Sequence, residues 1–268
     1  MTLLNDEIFK VAGPMEQFEI LPIIPLPFGN LDISFSNSSL WMIIGVSLIC
    51  GFFFIATQRR ALIPGRLQSI AEMMYEFVFD MTQDNIGSDG RKFFPFVFTL
   101  FTYILFANFL GLLPSIPGLP HELHVFTTTS HLAVTLTLAL ATFVVVIVYG
   151  FWKNGIKFLK LFAPSGVPIL LMPLLVPIEV FSFFIRPVTL AVRLFANMFA
   201  GHIILKLFAG FVATLVGLGS AVSLFAIAPF IGIFAMTMLE FLVAGLQAYV
   251  FAILTCIYLG EAAHASDH

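Results

Sequence analysis

The chain is dominated by apolar runs of about 20 residues, the length that an α-helix needs to cross the ~30 Å hydrocarbon layer of a membrane. Hydrophobic residues make up 60% of its 268 residues, and charged residues make up only 10%. A water-soluble domain carries about a quarter charged residues. These proportions exclude an ordinary soluble enzyme and predict an all-α polytopic membrane protein.

Charge and histidine spacing exclude two further kinds of partner. The formal net charge is −3, from 12 basic and 15 acidic residues, so there is no basic excess to neutralise the phosphates of a nucleic acid. His121 and His124 lie in a proline-rich loop without a third ligand, which makes a metal site there a poor interpretation. We therefore expect no nucleic acid, no metal and no cofactor.

Three outer spans and one interfacial amphipathic helix are predicted in the first part of the chain. The apolar runs place the spans at about 39–57, 93–113 and 132–152. Residues 67–85 combine an apolar face with a face of four acidic residues. This pattern is typical of a helix that lies along the membrane interface rather than across the bilayer.

The distribution of lysine and arginine predicts the orientation, because these residues favour the cytoplasmic or matrix side of a membrane. Residues 58–92 contain five of them and residues 153–160 contain three, whereas residues 114–130 contain none. The N-terminal segment, residues 1–38, carries Lys10 against five acidic residues. We therefore expect this segment on the outer side and the C-terminus on the inner side.

The rest of the chain is predicted to be a long two-helix membrane hairpin, about 165–218 and 221–260, with its turn at Gly217–Ser220. Together with the outer spans it would form a single membrane domain, residues 39–268. Ionisable groups at membrane depth are costly and normally face protein or water, so those in the hairpin are candidate functional residues. The polar residues of this region are Glu179, Arg186, Arg193, Asn197, His202, Lys206, Glu240 and Gln247.

Two pairs of these residues are expected at matching depths, because residues equally far from the turn of an antiparallel hairpin lie at the same depth. Arg193 and Gln247 are one such pair. His202 and Glu240 are the other. At 1.5 Å per residue, Glu179 would lie about 21 Å to the inner side of Arg193 and His202 about 13 Å to the outer side. The polar groups would thus form a column with Arg193 in the middle.

The helix face around Arg193 is predicted to carry small residues. At about 100° per residue, Ala196, Asn197 and Ala200 fall within about 60° of Arg193. Small residues at these intervals let another helix approach closely. His202 lies about 180° away, which fits two separate half-passages better than one pore. The residues expected to point away from this face are Leu194, Phe195, Met198 and Phe199.

Simpler roles remain open for several of these residues. Glu179 could hold Arg186 or Arg193 in a structural ion pair, since all three fall near one helix face. His202 and Glu240 could form a buried pair without any transport role. For the whole chain, the charged column is also compatible with a self-contained ion or solute transporter, and the chain could be a purely structural subunit of a respiratory complex.

Two motifs, LAVRLFANMFAGH (190–202) and LEFLVAGLQAYVFAILTCIYL (239–259), resemble subunit a of the F-type ATP synthase. The similarity extends to ANFLGLLP (107–114), TSHLAVTLTLAL (129–140) and LVPIEVFSFFIRPVTL (175–190). It covers most of the chain from the first span onward.

This resemblance implies a proton-conducting stator that couples proton flow to ATP synthesis, with no chemistry in the chain itself. The stator would lie against a rotating ring of small hairpin c-type subunits that carry carboxylates, and protons would reach them through two offset half-channels. Further implied partners are the peripheral stalk b-type subunits, other ATP synthase subunits and the lipid membrane. The implied location is the mitochondrial inner membrane or the bacterial cell inner membrane.

The resemblance also implies roles for individual residues. Arg193 matches the essential arginine of the family, which pairs with each ring carboxylate while it is ionised and blocks a direct leak between the half-channels. No catalytic residue is implied. The implied sets are Arg193, Asn197 and Gln247 facing the ring; His202, Glu240, Asn108 and His131 in the outer half-channel; and Glu179, Ser182 and Arg186 in the inner half-channel.

The chain departs from some bacterial members of this family at two points. Those members have an acid where His202 stands and a histidine where Glu240 stands, so the acid and the base are exchanged here. An acid found elsewhere in those members is replaced by Gly111. The exchange supports a contact between the two positions, whereas Gly111 leaves the outer route with one fewer titratable group.

Overall fold

The computed structural model describes residues 18–25, 27–28, 31–32, 34–58, 61, 63–113, 126–162 and 170–265. The loop with His121 and His124 lies outside these residues, as do Lys10, Arg59 and Arg60.

The described residues are almost entirely helical, which confirms the predicted all-α polytopic fold. Five helical segments among them are long and apolar enough to cross a membrane. The helix ends of the outer spans and of the amphipathic helix lie within three residues of the predicted ones. The α-helices are α1 (Asn37–Gln58), α2 (Arg66–Ile86), α3 (Gly90–Gly111), α4 (Leu132–Asn154), α5 (Met172–Gly217) and α6 (Ile227–Ala263).

Short strands precede α1, and the first residue of α1 holds this segment in place. The Asn37 side chain accepts hydrogen bonds from the backbone of Leu21 and Ser38 and donates one to the carbonyl of Glu19. The strands pair antiparallel, β1 (Pro22–Ile24) with β4 (Phe35–Ser36) and β2 (Pro27–Phe28) with β3 (Leu31–Asp32).

The residues that α2 packs against the rest of the protein are only partly those of its apolar face. Ala71, Val78 and Met81 are buried, whereas Ile70 and Met73 are 49% and 68% exposed. The reason is that lipid-facing and protein-facing positions of a membrane protein are both apolar, so periodicity alone does not separate them.

The long hairpin turns within the predicted glycine cluster. α5 has 46 residues, with Pro177 and Pro187 inside it, and ends at Gly217. Gly219 follows with φ +66°, a conformation that favours glycine, and a 3₁₀ segment leads into α6. An added Cβ at Gly232 would lie 3.4 Å from the Phe208 ring, so these two positions, both twelve residues from 220, are neighbours.

The chain divides into two compact units that each combine distant segments of sequence. The expected single domain from residue 39 stays a prediction. The first unit comprises Met1–Gly45, Ala107–His131 and Phe195–Gly245, and the second comprises Val46–Phe106, Leu132–Leu194 and Leu246–His268.

In the second unit, one acidic side chain joins the start of α3 to the end of α4. Asp89 forms ion pairs with Lys92 and Lys153 and accepts a hydrogen bond of 2.8 Å from the Tyr149 hydroxyl. The apolar core beside it is formed by side chains of α2 to α6, among them Val78, Val97, Ile104, Val146, Leu190, Leu194 and Phe251.

The last turn of α6 is held on two sides within the same unit. The Asn154 side chain at the end of α4 donates a 2.6 Å hydrogen bond to the carbonyl of Ala262. Gly260 packs directly against the Asn85 carbonyl of α2, where a Cβ would collide with backbone. These contacts fix the backbone on both sides of Glu261.

Gly260→Ala is therefore expected to destabilise the second unit by about 1–3 kcal/mol, because its Cβ meets a backbone carbonyl that cannot swing away. The measurement is the thermal denaturation midpoint of the purified membrane complex. Gly51→Ala, at a position with nothing within 4 Å of an added Cβ, serves as the control. An unchanged midpoint for Gly260→Ala would contradict the contact.

Candidate functional site

The first unit contains a cluster of buried and half-buried polar side chains, here called the first polar cluster: Asn108, Thr127, Thr129, His131, His202 and Glu240. Asn108 is fully buried and links three elements. Its amide donates a 3.1 Å hydrogen bond to the Ala244 carbonyl on α6, and its carbonyl oxygen accepts one of 2.8 Å from Thr129. Asn108 therefore positions the threonine segment against α6.

A hydrogen bond between the side chains of His202 and Thr127 is the second connection within the first polar cluster. The Thr127 hydroxyl lies 2.9 Å from Nε2 of His202 and 3.4 Å from the Gly111 carbonyl oxygen. A Cβ at Gly111 would lie 2.5 Å from the Thr127 side chain. This contact explains why glycine stands at position 111, because Thr127 occupies the space that a larger side chain would need.

Glu240 lies beside the backbone of α5 at the predicted depth, but it is not hydrogen-bonded to His202. Its carboxylate packs against Gly201, so closely that a Cβ there would collide with Oε1. Both carboxylate oxygens are buried and have no hydrogen-bond partner among the residues described. Such a group can accept and release a proton without breaking a hydrogen bond to protein.

His131 lies at the edge of the first polar cluster, just before α4. Its ring stacks on Phe126 with centroids 4.6 Å apart and meets the edge of Phe18 at 6.5 Å. Burial lowers the pKa of this imidazole below its ordinary value, so His131 is neutral near neutral pH.

The second unit contains the second polar cluster: Glu179, Ser182, Arg186, Tyr258 and Glu261. Arg186 is its centre. Its Nη1 forms a close ion pair with Glu261, and its Nη2 lies 3.7 Å from Oε1 of Glu179. The guanidinium also lies over the rings of Tyr258 and Phe183, at 5.2 Å and 5.9 Å from their centroids.

Sequence reasoning missed four residues of these clusters: Thr127, Thr129, Tyr258 and Glu261. Glu261 lies in the last turn of α6, where a carboxylate interacts unfavourably with the helix dipole. This unfavourable placement is the sequence signal that could have marked Glu261 as a site residue. Thr127 and Thr129 belong to a run of four hydroxyl residues, Thr127 to Ser130, each of which is buried. A hydroxyl run just before an apolar span is a usable sign of a polar pocket.

Ser182 and Glu179 follow the helical spacing of Arg186 on α5. Ser182 is half-buried, and it lies one turn after Glu179 and one turn before Arg186. The three side chains therefore share one face of the helix.

Arg193 differs from Arg186 in its surroundings. It is exposed, and no carboxylate oxygen of the described residues lies within 4.0 Å of it. Glu179 pairs with Arg186 rather than with Arg193, so the internal ion pair that the sequence left open forms at the other arginine.

The exposure of the residues around Arg193 agrees with the predicted helix face. Asn197 is exposed, and so are Ala196 and Ala200. Leu194 and Met198 are buried at 0% and 3% exposure. Gln247, on α6 in the second unit, is 1% exposed.

Apolar helices of spanning length that carry arginine and glutamate in their interior define a multi-pass membrane protein. The sequence profile described as "ATP synthase A chain" matches residues 39–260. The chain therefore belongs to the ATP synthase A chain family.

Relatives named "ATP synthase subunit a" resemble the chain over nearly its whole length. The protein of Hyphomonas neptunium is 54% identical over 95% of this chain and 97% of its own. The protein of Mesorhizobium japonicum is 53% identical over 95% of this chain and 98% of its own. The protein of a Chelativorans species is 54% identical over 94% of this chain and 98% of its own.

Proposed function

We propose that the chain is the proton-conducting stator of an F-type ATP synthase, which couples proton flow through the membrane to ATP synthesis. The observation that carries the proposal is Arg193, a cation in an apolar helix that is exposed and has no carboxylate partner among the described residues. The relatives named "ATP synthase subunit a" support the same role.

Arg193 has no ion-pair partner among the described residues, and this favours a partner on a neighbouring subunit. A cation at membrane depth is costly without an opposite charge. Glu179 and Glu261, the acids of the second polar cluster, are both engaged with Arg186. A carboxylate on a neighbouring subunit is therefore the counter-ion that the arginine would take, and a ring of c-type subunits would bring such carboxylates past it one at a time.

The surface around Arg193 suits close passage of another helix. The exposed residues one and two turns along α5, Asn197 and Ala200, are small or polar, and Ala196 is small and exposed as well. Small residues permit a backbone-to-backbone approach. We assign the exposed Arg193 and Asn197 to the surface that faces the ring. Gln247, which the resemblance also implies there, is 1% exposed and does not reach that surface.

The first polar cluster would form the outer half-channel. His202, Glu240, Asn108 and His131 supply groups that accept or donate protons or hydrogen-bond water. The free carboxylate oxygens of Glu240 and the hydroxyl of Thr127 beside His202 give a route with both an acid and a base. Glu179, Ser182 and Arg186 of the second polar cluster would form the inner half-channel.

The mechanism follows from the cost of charge in lipid. A ring carboxylate that faces hydrocarbon must be protonated, because the ionised form is expensive there. Next to Arg193 the ionised form is stabilised by the opposite charge. Rotation then requires a proton to be taken up from one half-channel and released to the other, and a membrane potential biases the direction by about 2.3 kcal/mol per charge per 100 mV.

The proposed setting is the bacterial inner membrane, with the N-terminal segment outside and the C-terminus inside. The bacterial origin of the relatives favours this membrane over the mitochondrial one. The proposed partners are the c-type ring, the b-type peripheral stalk, other ATP synthase subunits and lipid.

The decisive experiment is purification of the chain from its native membrane in mild detergent. We expect a ring of small hydrophobic subunits to copurify, and we expect the chain alone in proteoliposomes to carry no solute flux. A chain that purifies without such a ring and transports a specific substrate by itself would instead be a self-contained transporter.

A further inference from the structure

The two acids beside Arg186 are not equivalent. Nη1 of Arg186 is hydrogen-bonded to Glu261, whereas the 3.7 Å between Nη2 and Glu179 is beyond hydrogen-bond distance. The interaction with Glu179 is therefore electrostatic only. The pair of acids therefore divides into one that is hydrogen-bonded to the guanidinium and one that is not, although both side chains are about equally exposed.

The backbone on either side of Glu261 is fixed more firmly than its position near a chain end suggests. Gly260 packs against the Asn85 carbonyl, and the Ala262 carbonyl accepts the hydrogen bond from Asn154. Contacts with α2 and α4 thus hold the helical turn that carries Glu261, so the Cα position of this residue is fixed.

The placement of Glu261 also opposes the local preference of a helix. A carboxylate in the last turn of α6 faces the negative end of the helix dipole, which disfavours it. Such a residue is stable when a cation lies beside it, and Arg186 is that cation. The guanidinium also lies over the rings of Phe183 and Tyr258, which adds cation–π attraction.

We propose that Glu261 is a positioning residue for Arg186: it holds the guanidinium out of hydrogen-bonding contact with Glu179. Glu179 can then exchange protons with the inner side without first breaking an arginine–carboxylate hydrogen bond. This inference rests on the proposed stator function, because it assigns separate tasks to residues of the proposed inner half-channel.

The test uses the whole ATP synthase complex in inverted membrane vesicles and measures ATP-driven proton pumping per assembled complex as a function of pH. With Glu261→Gln, Arg186 is released to hydrogen-bond Glu179. Pumping is expected to fall about tenfold, the size of effect expected when two coupled groups are uncoupled. Its pH profile is also expected to differ from that of the unmodified complex, because the guanidinium then contacts Glu179 directly.

Three further variants separate positioning from a structural role. Glu261→Asp, which keeps the charge, is expected to retain most of the pumping and the original pH dependence. In an Arg186→Gln background, Glu261→Gln is expected to cause no additional loss, because the group it positions is gone. Glu76→Gln, which removes an exposed acid of α2, is the matched control and is expected to pump normally.

The inference is overturned by normal pumping with an unchanged pH dependence in Glu261→Gln, or by a loss of equal size with and without Arg186. If Glu261→Gln assembles poorly, two comparisons of proton pumping per assembled complex decide the question. One compares Glu261→Asp with the unmodified complex, and the other compares the double variant with Arg186→Gln. Arg193→Ala in the same vesicles separates the two proposals: normal pumping by that variant would refute the stator function itself.

Discussion

Replacing Arg193 with alanine is expected to abolish coupled proton transport while the complex still assembles. The carboxylates that the arginine would stabilise then have no cation beside them in the membrane. An ionised carboxylate in hydrocarbon costs several kcal/mol, and about 1.4 kcal/mol corresponds to tenfold in rate, so the loss should be at least about 100-fold. ATP synthesis by proteoliposomes under an imposed proton gradient measures it.

The matched control for this prediction is Arg91→Ala, since Arg91 is an exposed arginine at the start of α3. This variant is expected to synthesise ATP normally. Arg193→Lys keeps the charge but loses the planar, multi-donor guanidinium and should be strongly impaired. ATP synthesis at the normal rate by the assembled Arg193→Ala complex would end the stator proposal.

Gly201→Ala is expected to lower proton transport about tenfold without preventing assembly. The new Cβ would occupy the place of the Glu240 carboxyl group. That group is the far end of a flexible side chain, so it can swing aside at little cost in stability. The carboxylate would then leave its position beside α5 at the level of His202, and the proposed outer route would lose its acid. The measurement is passive proton conduction through membrane vesicles from which the soluble part of the complex has been removed.

Two comparisons make this second prediction specific. Gly51→Ala adds the same methyl group to a helix at an unobstructed position and should conduct normally. Glu240→Gln should reduce conduction at least as much as Gly201→Ala, because it removes the acid instead of moving it. Full conduction by an assembled Gly201→Ala complex would show that the position of this carboxylate does not matter.

The outer spans could be predicted from the sequence because the hydrocarbon layer imposes a minimum apolar length on every span. The hairpin was predicted less closely, since α6 begins at Ile227, after a 3₁₀ segment, instead of at about 221. The turn of the hairpin could also be predicted, since Gly219 adopts a positive φ that other residues rarely take. The residues of α2 that pack against the protein could not be predicted. Ile70 and Met73 are exposed there because lipid, like a protein core, accepts apolar side chains.

The candidate site was predictable where one helix determines it. Helical periodicity is sufficient to expect Arg193 and Asn197 on the exposed side of α5 and Leu194 on the buried side. Contacts between helices were harder. The depth of Glu240 follows from the hairpin register, but its rotation does not, and the structure sets it against Gly201 while Thr127 takes the hydrogen bond to His202.

The 46 residues of α5 have a mechanical consequence. At 1.5 Å per residue a straight helix of this size is about 69 Å long, whereas a bilayer with its headgroups is about 40–45 Å thick. The helix therefore does not cross the bilayer as a straight rod along the membrane normal: it tilts, bends at Pro177 or Pro187, or extends beyond the headgroups.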